Sequence, residues 1–576
     1  MKALVLWMAA IAGSFAVSAQ TNIISTNPTA ELVMLGNYDP NTYLASTVLM
    51  HPDTISKGIL ARVSPDSMKA YLFELRKFET RNSGSDTVSA TRGIGAARSW
   101  IYSKFQQFST QNENRLLPAY LQFDQSICGT DRHKNVVAVL PGNDTSDKSI
   151  VLIEAHMDTR CTGNCDISCV AEGMEDNASG TALVMELARV MSKYSYKHTL
   201  VFMTTTAEEQ GLLGANAFAT YAQQKGIAIK SVLNNDVVGG VICGQTSSPP
   251  SCPGLNAVDS TQVRLFSFGG NNSPHKQLSR FVKLEYKEMI RPFAAVPMTV
   301  TIMADEDRIG RGGDHIPFRQ KGFTAMRFTC ANEHGDASNG PGYTDRQHTS
   351  DDILGLDTDN DNIIDSFFVD FNYLARNAVI NGNAAGMLAI GPKTPDFTVT
   401  STHINEFAVN VMDPYNYNHY RVGVRTTTND WDTVYTFTGS TTQTFTVPQG
   451  VYRVSVMSVD GNGIESLPIK EFTVTTGIDD VEAQSNGIVL LQNTPNPVGD
   501  EATIISVLVN KPITYRDAAI MVTDITGKEI QRLKIDLTTG MNEVWYKHGY
   551  GMSGIYTYTL VVDGKTLQSK RMVFSR

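Results

Sequence analysis

The sequence predicts an α/β fold followed by two all-β units, and three observations carry that expectation. From Val63 to about Gly391, short apolar runs alternate with amphipathic segments, the pattern of strands interleaved with helices. Beyond Gly391-Pro392 the texture turns Thr- and Val-rich, with alternating strands over residues 394–476 and no helical period. After a polar linker at Gly477–Gly487, a second run of strands fills 488–576, with turn signals at Thr526-Gly527-Lys528, Gly540 and Gly554. A chain of 576 residues exceeds one ordinary core, so several folded units are expected.

Each element follows in order. Lys2 precedes an almost wholly apolar stretch, Ala3 to Val17, and Val17-Ser18-Ala19 has small residues at the cleavage positions. This reads as a secretory signal peptide over 1–19, too short for a spanning helix. Residues 20–62 form an N-terminal segment, and the sequence leaves open whether it is an inhibitory pro-segment. The α/β unit is placed at 63–392. Ser64-Pro65 is a helix-start signal, with amphipathic helices expected over Asp66–Phe78 and Gly93–Phe108. Buried strands are expected at Asn135–Leu140, Ile150–Ala155, Thr199–Thr204, Ser231–Asn235, Arg264–Phe268 and Ala325–Phe328. Helices between and after them are expected at Ser179–Lys193, Gly214–Gln224, Lys276–Met289 and Asp365–Gly386. The two β units occupy 393–477 and 488–576.

The formal net charge of −10 disfavours nucleic acid, which needs clustered Lys and Arg. No later run approaches about 20 apolar residues, so no transmembrane segment is expected in the mature chain. Seven cysteines remain after cleavage, and in an oxidising compartment they should pair, leaving at least one unpaired. Cys243 and Cys252 flank a turn-rich segment and are the preferred disulfide. Cys161, Cys165 and Cys169 recur every fourth residue. Structural zinc takes four ligands in a different spacing, so disulfides within or from this insertion are the expected outcome.

The chemistry gathers at strand ends. Ile153-Glu-Ala-His-Met-Asp158 closes a strand with two polar residues two apart, which puts His156 and Asp158 on one side. Asp158 is expected to orient the ring of His156 rather than to bind metal. Asp176 lies in Glu175-Asp-Asn-Ala-Ser-Gly180, a loop just before a helix, where taken alone it would also serve as a helix cap. Thr206-Ala-Glu-Glu-Gln-Gly211 sets Glu208 and Glu209 side by side, and adjacent carboxylates call for a cation nearby. One could ligate metal while the other acts as general base. Asn234-Asn-Asp236 closes the next strand, and His348 lies in Arg346-Gln-His-Thr-Ser-Asp351. In open α/β sheets, sites form beyond the carboxyl ends of strands. Nitrogen and carboxylate donors without thiolates suit catalytic zinc.

These segments, over roughly 63–390, resemble the di-zinc exopeptidase family that includes secreted bacterial leucyl aminopeptidases and glutamate carboxypeptidases. The resemblance implies a mixed central sheet flanked by helices and two zinc ions per chain. Asp176 would bridge the ions, His156 and Asp236 would complete one site, and Glu209 and His348 the other. Glu208 is implied as general base, taking a proton from the bridging water and passing it to the leaving amine. The activity implied is an aminopeptidase acting on peptides or proteins. A glutaminyl cyclase with one zinc, a carboxypeptidase, and a non-catalytic surface-binding protein are the alternative readings. The Asp-Asn peptide at the bridging ligand is often cis in this family, and Asp176-Asn177 is expected to share that geometry.

Two departures stand out. The gap from His156 to Asp176 carries the Cys161–Cys169 insertion, and Gln347 stands where some relatives place a Tyr beside the last His. Arg311 or a nearby hydroxyl is the expected substitute. Gly310-Arg-Gly-Gly-Asp-His315 looks like the family's pocket-lining loop, with His315 a pocket or structural residue. Asp357, Asp359 and Asp361 faintly resemble a calcium loop. Asn362 replaces its Gly and Phe368 its bidentate Glu, so a solvated acidic loop is expected.

The tail supplies the last signals. Tyr452-Arg-Val-Ser-Val-Met-Ser-Val459 resembles the late strands of a fibronectin type III domain. Leu491-Gln-Asn-Thr-Pro-Asn-Pro497, Asp524-Ile-Thr-Gly-Lys528, Gly554-Ile-Tyr-Thr-Tyr558 and Lys570-Arg-Met-Val573 together resemble a type IX secretion sorting domain. That resemblance implies the type IX machinery as a partner, and a protein secreted or held at the outer cell surface.

Overall fold

The structure, a computed structural model, describes residues 19–244, 254, 256–308, 310–332, 345–403, 405–426, 428–476, 487–498, 502–547 and 553–574. The expected signal stretch before Ala19, nearly all of the linker, and Cys252 lie outside these residues. The chain divides into two compact units, Met1–Gly391 and Pro392–Arg576.

Nine strands build the central sheet of the first unit: β1 (Thr21–Ser25), β2 (Leu117–Ile127), β3 (Thr130–Leu140), β4 (Ile150–His156), β5 (Thr199–Thr205), β6 (Ile229–Asn235), β7 (Gln262–Phe266), β8 (Thr299–Ile302) and β9 (Ala325–Cys330). Their spatial order is β1-β2-β3-β5-β4-β6-β9-β7-β8. β4 pairs parallel with both β5 and β6, and β6 parallel with β9, whereas β3 meets β5 and β7 meets β9 antiparallel. The sheet is therefore mixed, as expected. Every residue of β4 and β5 is buried, which is why both read as continuous apolar runs rather than alternating ones. Side chains such as Leu152, Ile153 and Phe202 each contribute about 1.5–3 kcal/mol by leaving water.

Nine helices accompany the sheet among the described residues: α1 (Pro28–Met34), α2 (Pro52–Arg62), α3 (Pro65–Leu75), α4 (Gly93–Gln111), α5 (Ser179–Met191), α6 (Leu213–Lys225), α7 (Pro274–Glu285), α8 (His315–Gln320) and α9 (Phe371–Ile390). Ser64 caps α3 by accepting from the Ser67 N–H, the start that Ser64-Pro65 signals. One helix begins later than its pattern suggests. Residues Ser366–Phe367 pair with Gly355–Leu356 as a short ladder, and Asp370 then caps α9 by accepting from Tyr373. The expected start at Asp365 is thus corrected to Phe371, because a ladder bond and a local cap compete with the first helical turn. Residues 20–62, which carried no assigned element, add β1 to the sheet edge and bury Ala30, Val33 and Met34 in the core.

His198 directly precedes β5 and is 5% exposed, with Nε2 3.1 Å from Lys230 Nζ and Nδ1 3.3 Å from the Ser149 hydroxyl. An ammonium only donates, so Nε2 accepts and Nδ1 holds the proton. Burial, reinforced by Lys230, lowers the ring to about 4. The unfolded ring protonates near 6.5, so the stability held by the neutral form is full above that pH and lost as pH falls toward 4. In urea melts, the native chain should lose on the order of 2 kcal/mol relative to His198→Gln across that window.

In the second unit, a three-stranded sheet (Asp396–His403, Glu406–Met412, Thr442–Thr446) and a four-stranded sheet (Thr433–Thr438, His419–Arg425, Gly450–Ser458, Phe472–Thr476) enclose Phe407, Tyr420, Val422 and Val454. Strands Ile488–Leu490, Thr503–Val509 and Gly540–Tyr546 form another sheet. Glu529–Lys534, Ala518–Thr523, Gly554–Val562 and Lys565–Phe574 form its partner, around Val507, Ile520 and Tyr558.

Candidate metal centre

The site forms where β4, β5 and β6 end. His156 is the last residue of β4, Glu208 and Glu209 follow β5 by three and four residues, and Asp236 follows β6 directly. Asp176 approaches from the segment before α5, and His348 from a loop far along the chain. The structure brings all of them together, from sequence positions that share no local pattern.

Two triads share Asp176. His156 Nε2 lies 3.2 Å from Asp176 Oδ1 and 3.5 Å from Asp236 Oδ1. His348 Nε2 lies 3.1 Å from Asp176 Oδ2 and 3.2 Å from Glu209 Oε2. In each triad one ligand atom per residue falls within 4.8 Å of the others. His156 Nε2 and Glu209 Oε1 are buried and have no hydrogen-bond partner in the protein. A buried imidazole nitrogen and a buried carboxylate oxygen without donors fit a divalent cation, and the nitrogen-and-oxygen, thiolate-free donor set fits zinc in a catalytic role.

Local chemistry explains how Asp176 is freed for this. Asn177, not Asp176, accepts from the first turn of α5, its Oδ1 taking the Gly180 N–H at 2.9 Å. Gly180 is required there, since a Cβ would come within 2.3 Å of the Asn235 carbonyl oxygen. The Asp176–Asn177 peptide is cis, as expected. Asp352 then fixes the loop, accepting from the Glu175 and Asp176 N–H groups at 2.9 Å each. Glu175 in turn accepts from Gly239 and Gly240 at 2.9 and 2.6 Å.

Asp158 meets His156 through its main chain as well as its side chain. His156 Nδ1 donates to the main-chain carbonyl of Asp158 at 3.1 Å, while the side chain stands 3.7 Å away. That main-chain bond already leaves Nε2 bare toward the triad. The Asp158 carboxylate also accepts from the Glu208 and Glu209 N–H groups, at 3.2 Å each, and from the Ser83 hydroxyl at 3.4 Å. Asp158→Asn should keep its zinc yet lose about 10–100-fold in turnover, because its carboxylate receives the N–H groups of the acidic pair. Metal analysis beside kinetics decides this; loss of one ion would favour the ring-orienting role.

Electrostatics follow from packing so many acids together. For His156, burial disfavours charge, but Glu208, Asp158, Asp176 and Asp236 outweigh it and raise its proton affinity. Asp176 goes the other way: against burial, His156 and His348 hold it well below the usual carboxylate range. Burial pushes the Glu208 carboxyl up, opposed by His156 and reinforced by Asp236, Asp314 and Asp176. A carboxylate with raised proton affinity is suited to removing a proton from water.

Several site residues escaped sequence reasoning. Arg327, fully buried, reaches Asp236 Oδ2 at 3.3 Å and both oxygens of Asp307 at 2.8 Å. Arg81, also buried, donates to the carbonyls of Met157, Glu172 and Gly173 at 2.8, 2.6 and 3.0 Å, tying the two ligand segments together. Arg160 touches Glu209 and His348. Arg81 and Arg327 lie in apolar or polar context with no metal-ligand spacing, so only their burial could mark them. His315 belongs to neither triad; it is buried, its Nε2 bonded to the Glu306 carbonyl at 3.2 Å. In the acidic loop, Asp357 accepts from the Asp361 and Asn362 N–H groups at 3.2 and 2.8 Å.

Among the cysteines, Cys128 pairs with Cys165 and Cys161 with Cys169, so the insertion is a cystine loop as expected. Cys243 is disulfide-bonded, its expected partner Cys252 lying outside the described residues, and Cys330 is a buried free thiol.

The family model for peptidase family M28 matches residues 135–368. The chain is 30% identical over 366 residues to a probable zinc metalloprotease of Leptosphaeria maculans, covering 61% of this chain and 80% of that one. It is 32% identical over 372 residues to one from Pyricularia oryzae, covering 62% and 70%. Among solved structures, the LapA aminopeptidase of Legionella pneumophila aligns over 59% of this chain and 74% of its own, at 19% identity and a TM-score of 0.43. That score is too low to bear on activity.

Proposed function

The chain belongs to peptidase family M28 and is a zinc metallopeptidase, and on that premise we propose that it is a two-zinc aminopeptidase, releasing residues from the amino ends of peptides. One observation supports it above the others: the two oxygens of Asp176 face different histidines, His156 and His348, each backed by its own carboxylate. A single-ion site has no use for that symmetry. In this reading His156, Asp176 and Asp236 hold one ion, and Asp176, Glu209 and His348 the other.

Zinc, when bound, supplies Lewis acidity toward the scissile carbonyl and acidifies water. The rest falls to the chain. Glu208, lining a cleft of about 430 Å³ beside both triads, removes the proton from the attacking water and returns it to the leaving amine. Asp158 keeps Glu208 and Glu209 in place through their main-chain N–H groups. Asp352 and Arg81 keep the Asp176 segment in register with the end of β4.

We further propose export, with residues 1–19 as signal peptide, 393–477 as a fibronectin-III-like unit, and 488–576 as a type IX sorting domain. Among the described residues no helix is long and apolar enough to cross a membrane.

The test is a purified-chain screen on peptides with free and acetylated amino ends, with metal analysis. Hydrolysis confined to free amino ends, with two zinc ions per chain, is the expected result. One tightly bound ion with cyclisation of N-terminal Gln would overturn the reading, and cleavage only from the carboxyl end would replace aminopeptidase with carboxypeptidase.

A further inference from the structure

The rim of the cleft carries positive charge that hydrolysis itself does not require. Among the described residues, Arg160, Arg308 and Arg311 line it together with Asp176, Glu208, Glu209 and Asp236. Arg308 lies 3.5 Å from Asp307 and Arg311 4.0 Å from Asp345, whereas the acid that Arg160 meets, Glu209, stands in a triad. Arg160 does not come from the sheet. It opens the cystine loop, next to Cys161, and donates to the carbonyls of Cys161 and Thr162 at 3.4 Å each. The loop is bound back at two points, by Cys161–Cys169 on itself and by Cys165–Cys128 to the end of β2 and β3. The Asn164 carbonyl accepts from Asn82 and Gln210 at 2.9 and 3.0 Å. A flexible arginine is thereby delivered to a fixed place, its side chain 17% exposed.

Its contacts are informative. Arg160 Nε donates to Glu209 Oε2 at 2.7 Å and Nη2 to His348 Nδ1 at 2.6 Å, while Arg311 Nη1 donates to the same Nδ1 at 3.1 Å. A histidine that ligates metal through Nε2 carries its proton on Nδ1, and an N–H cannot accept from a guanidinium. With His348 as a ligand, Arg160 must direct that donor elsewhere, and the cleft it lines is the space next to it. Glu209 would meanwhile give its charge to the metal. A guanidinium has five donors and no acceptor, and its planar fork matches a carboxylate.

We propose that Arg160, with Arg311, makes this cleft selective for substrates carrying a carboxylate beside the scissile bond. Two sources share that chemistry: an acidic side chain on the released residue, or the free terminal carboxylate of a short peptide. The proposal rests on the peptidase reading and refines its substrate class.

Four peptides separate the sources: Glu-Ala-amide against Gln-Ala-amide, and Leu-Ala against Leu-Ala-amide. Both kcat/KM on the zinc-loaded full chain and calorimetric affinity for its Glu208→Gln variant are measured. A charge-assisted contact should give at least about tenfold preference for the carboxylate in one pair, by both readouts. Arg160→Gln and Arg311→Gln should each reduce that ratio below about threefold, and Arg160→Lys should restore part of it, keeping charge but not the fork. Preference in the first pair identifies the side chain, in the second the terminal carboxylate. Equal rates and affinities within both pairs would overturn the proposal while leaving the peptidase intact. No hydrolysis of any peptide would overturn the peptidase reading, and the affinities would still decide the carboxylate. A preference that survives Arg160→Gln would remove that residue from the role.

Discussion

Glu208→Gln should leave two zinc ions in place and lower kcat by about 10²–10⁴-fold, the range general acid–base catalysis contributes. The amide fills the same space and lies in neither triad, so nothing that holds metal is removed. What goes is the basic oxygen. Burial and the nearby acids Asp236, Asp314 and Asp176 raise the proton affinity of Glu208 against the pull of His156. A glutamine there can neither take the proton from water nor return it to the amine. KM should change little, because substrate contacts elsewhere in the cleft persist. Metal analysis, single-turnover kinetics and KM on one sample separate the outcomes. Near-native turnover would exclude Glu208 as base, while loss of one ion would make it a ligand.

The adjacent residue makes the contrast. Glu209 faces His348 and the shared Asp176, whereas Glu208 faces the cleft, although the two are neighbours in the chain. That division was only partly legible. An acidic pair after a buried strand announces a cation, but which member turns inward depends on the Asp158 carboxylate receiving both N–H groups, 50 and 51 residues away. The central strands were readable because β4 and β5 are buried on both faces and so write themselves as apolar runs. Strand β1 was not, since three of its five residues are exposed and it is itself the edge strand, paired on one side only. The same holds within the site. The ligand residues carry chemistry in their own identity, while Asp352, Arg81 and Arg327 act through backbone groups or partners tens to hundreds of residues distant. Arg160 and His348 lie 188 residues apart and meet only once the cystine loop is folded against the sheet. Proximity of that kind has no local signature.

Asp176→Asn should have the most severe effect on metal content, and unequally so compared with the other ligands. Each remaining carboxylate serves one triad: Asp236 stands with His156, and Glu209 with His348. Losing either should leave the other triad complete, so Asp236→Asn and Glu209→Gln are expected to retain about one ion per chain. Asp176 stands in both, its oxygens 3.2 and 3.1 Å from the two histidines. An amide keeps one oxygen but loses the charge that lets a single side chain face two cations, and its NH₂ would point a donor at one of them. Zinc content should thus fall below one per chain, with activity lost by at least about 10⁴-fold, because Glu208 is then left without a metal-activated water to deprotonate. Because a ligand that binds the folded state stabilises it by RT ln(1 + [L]/Kd), added zinc should raise the melting temperature of Asp236→Asn but barely move that of Asp176→Asn. Equal zinc content in the three variants would mean that Asp176 does not bridge, and the two triads would then have to be read as one site with a spare carboxylate.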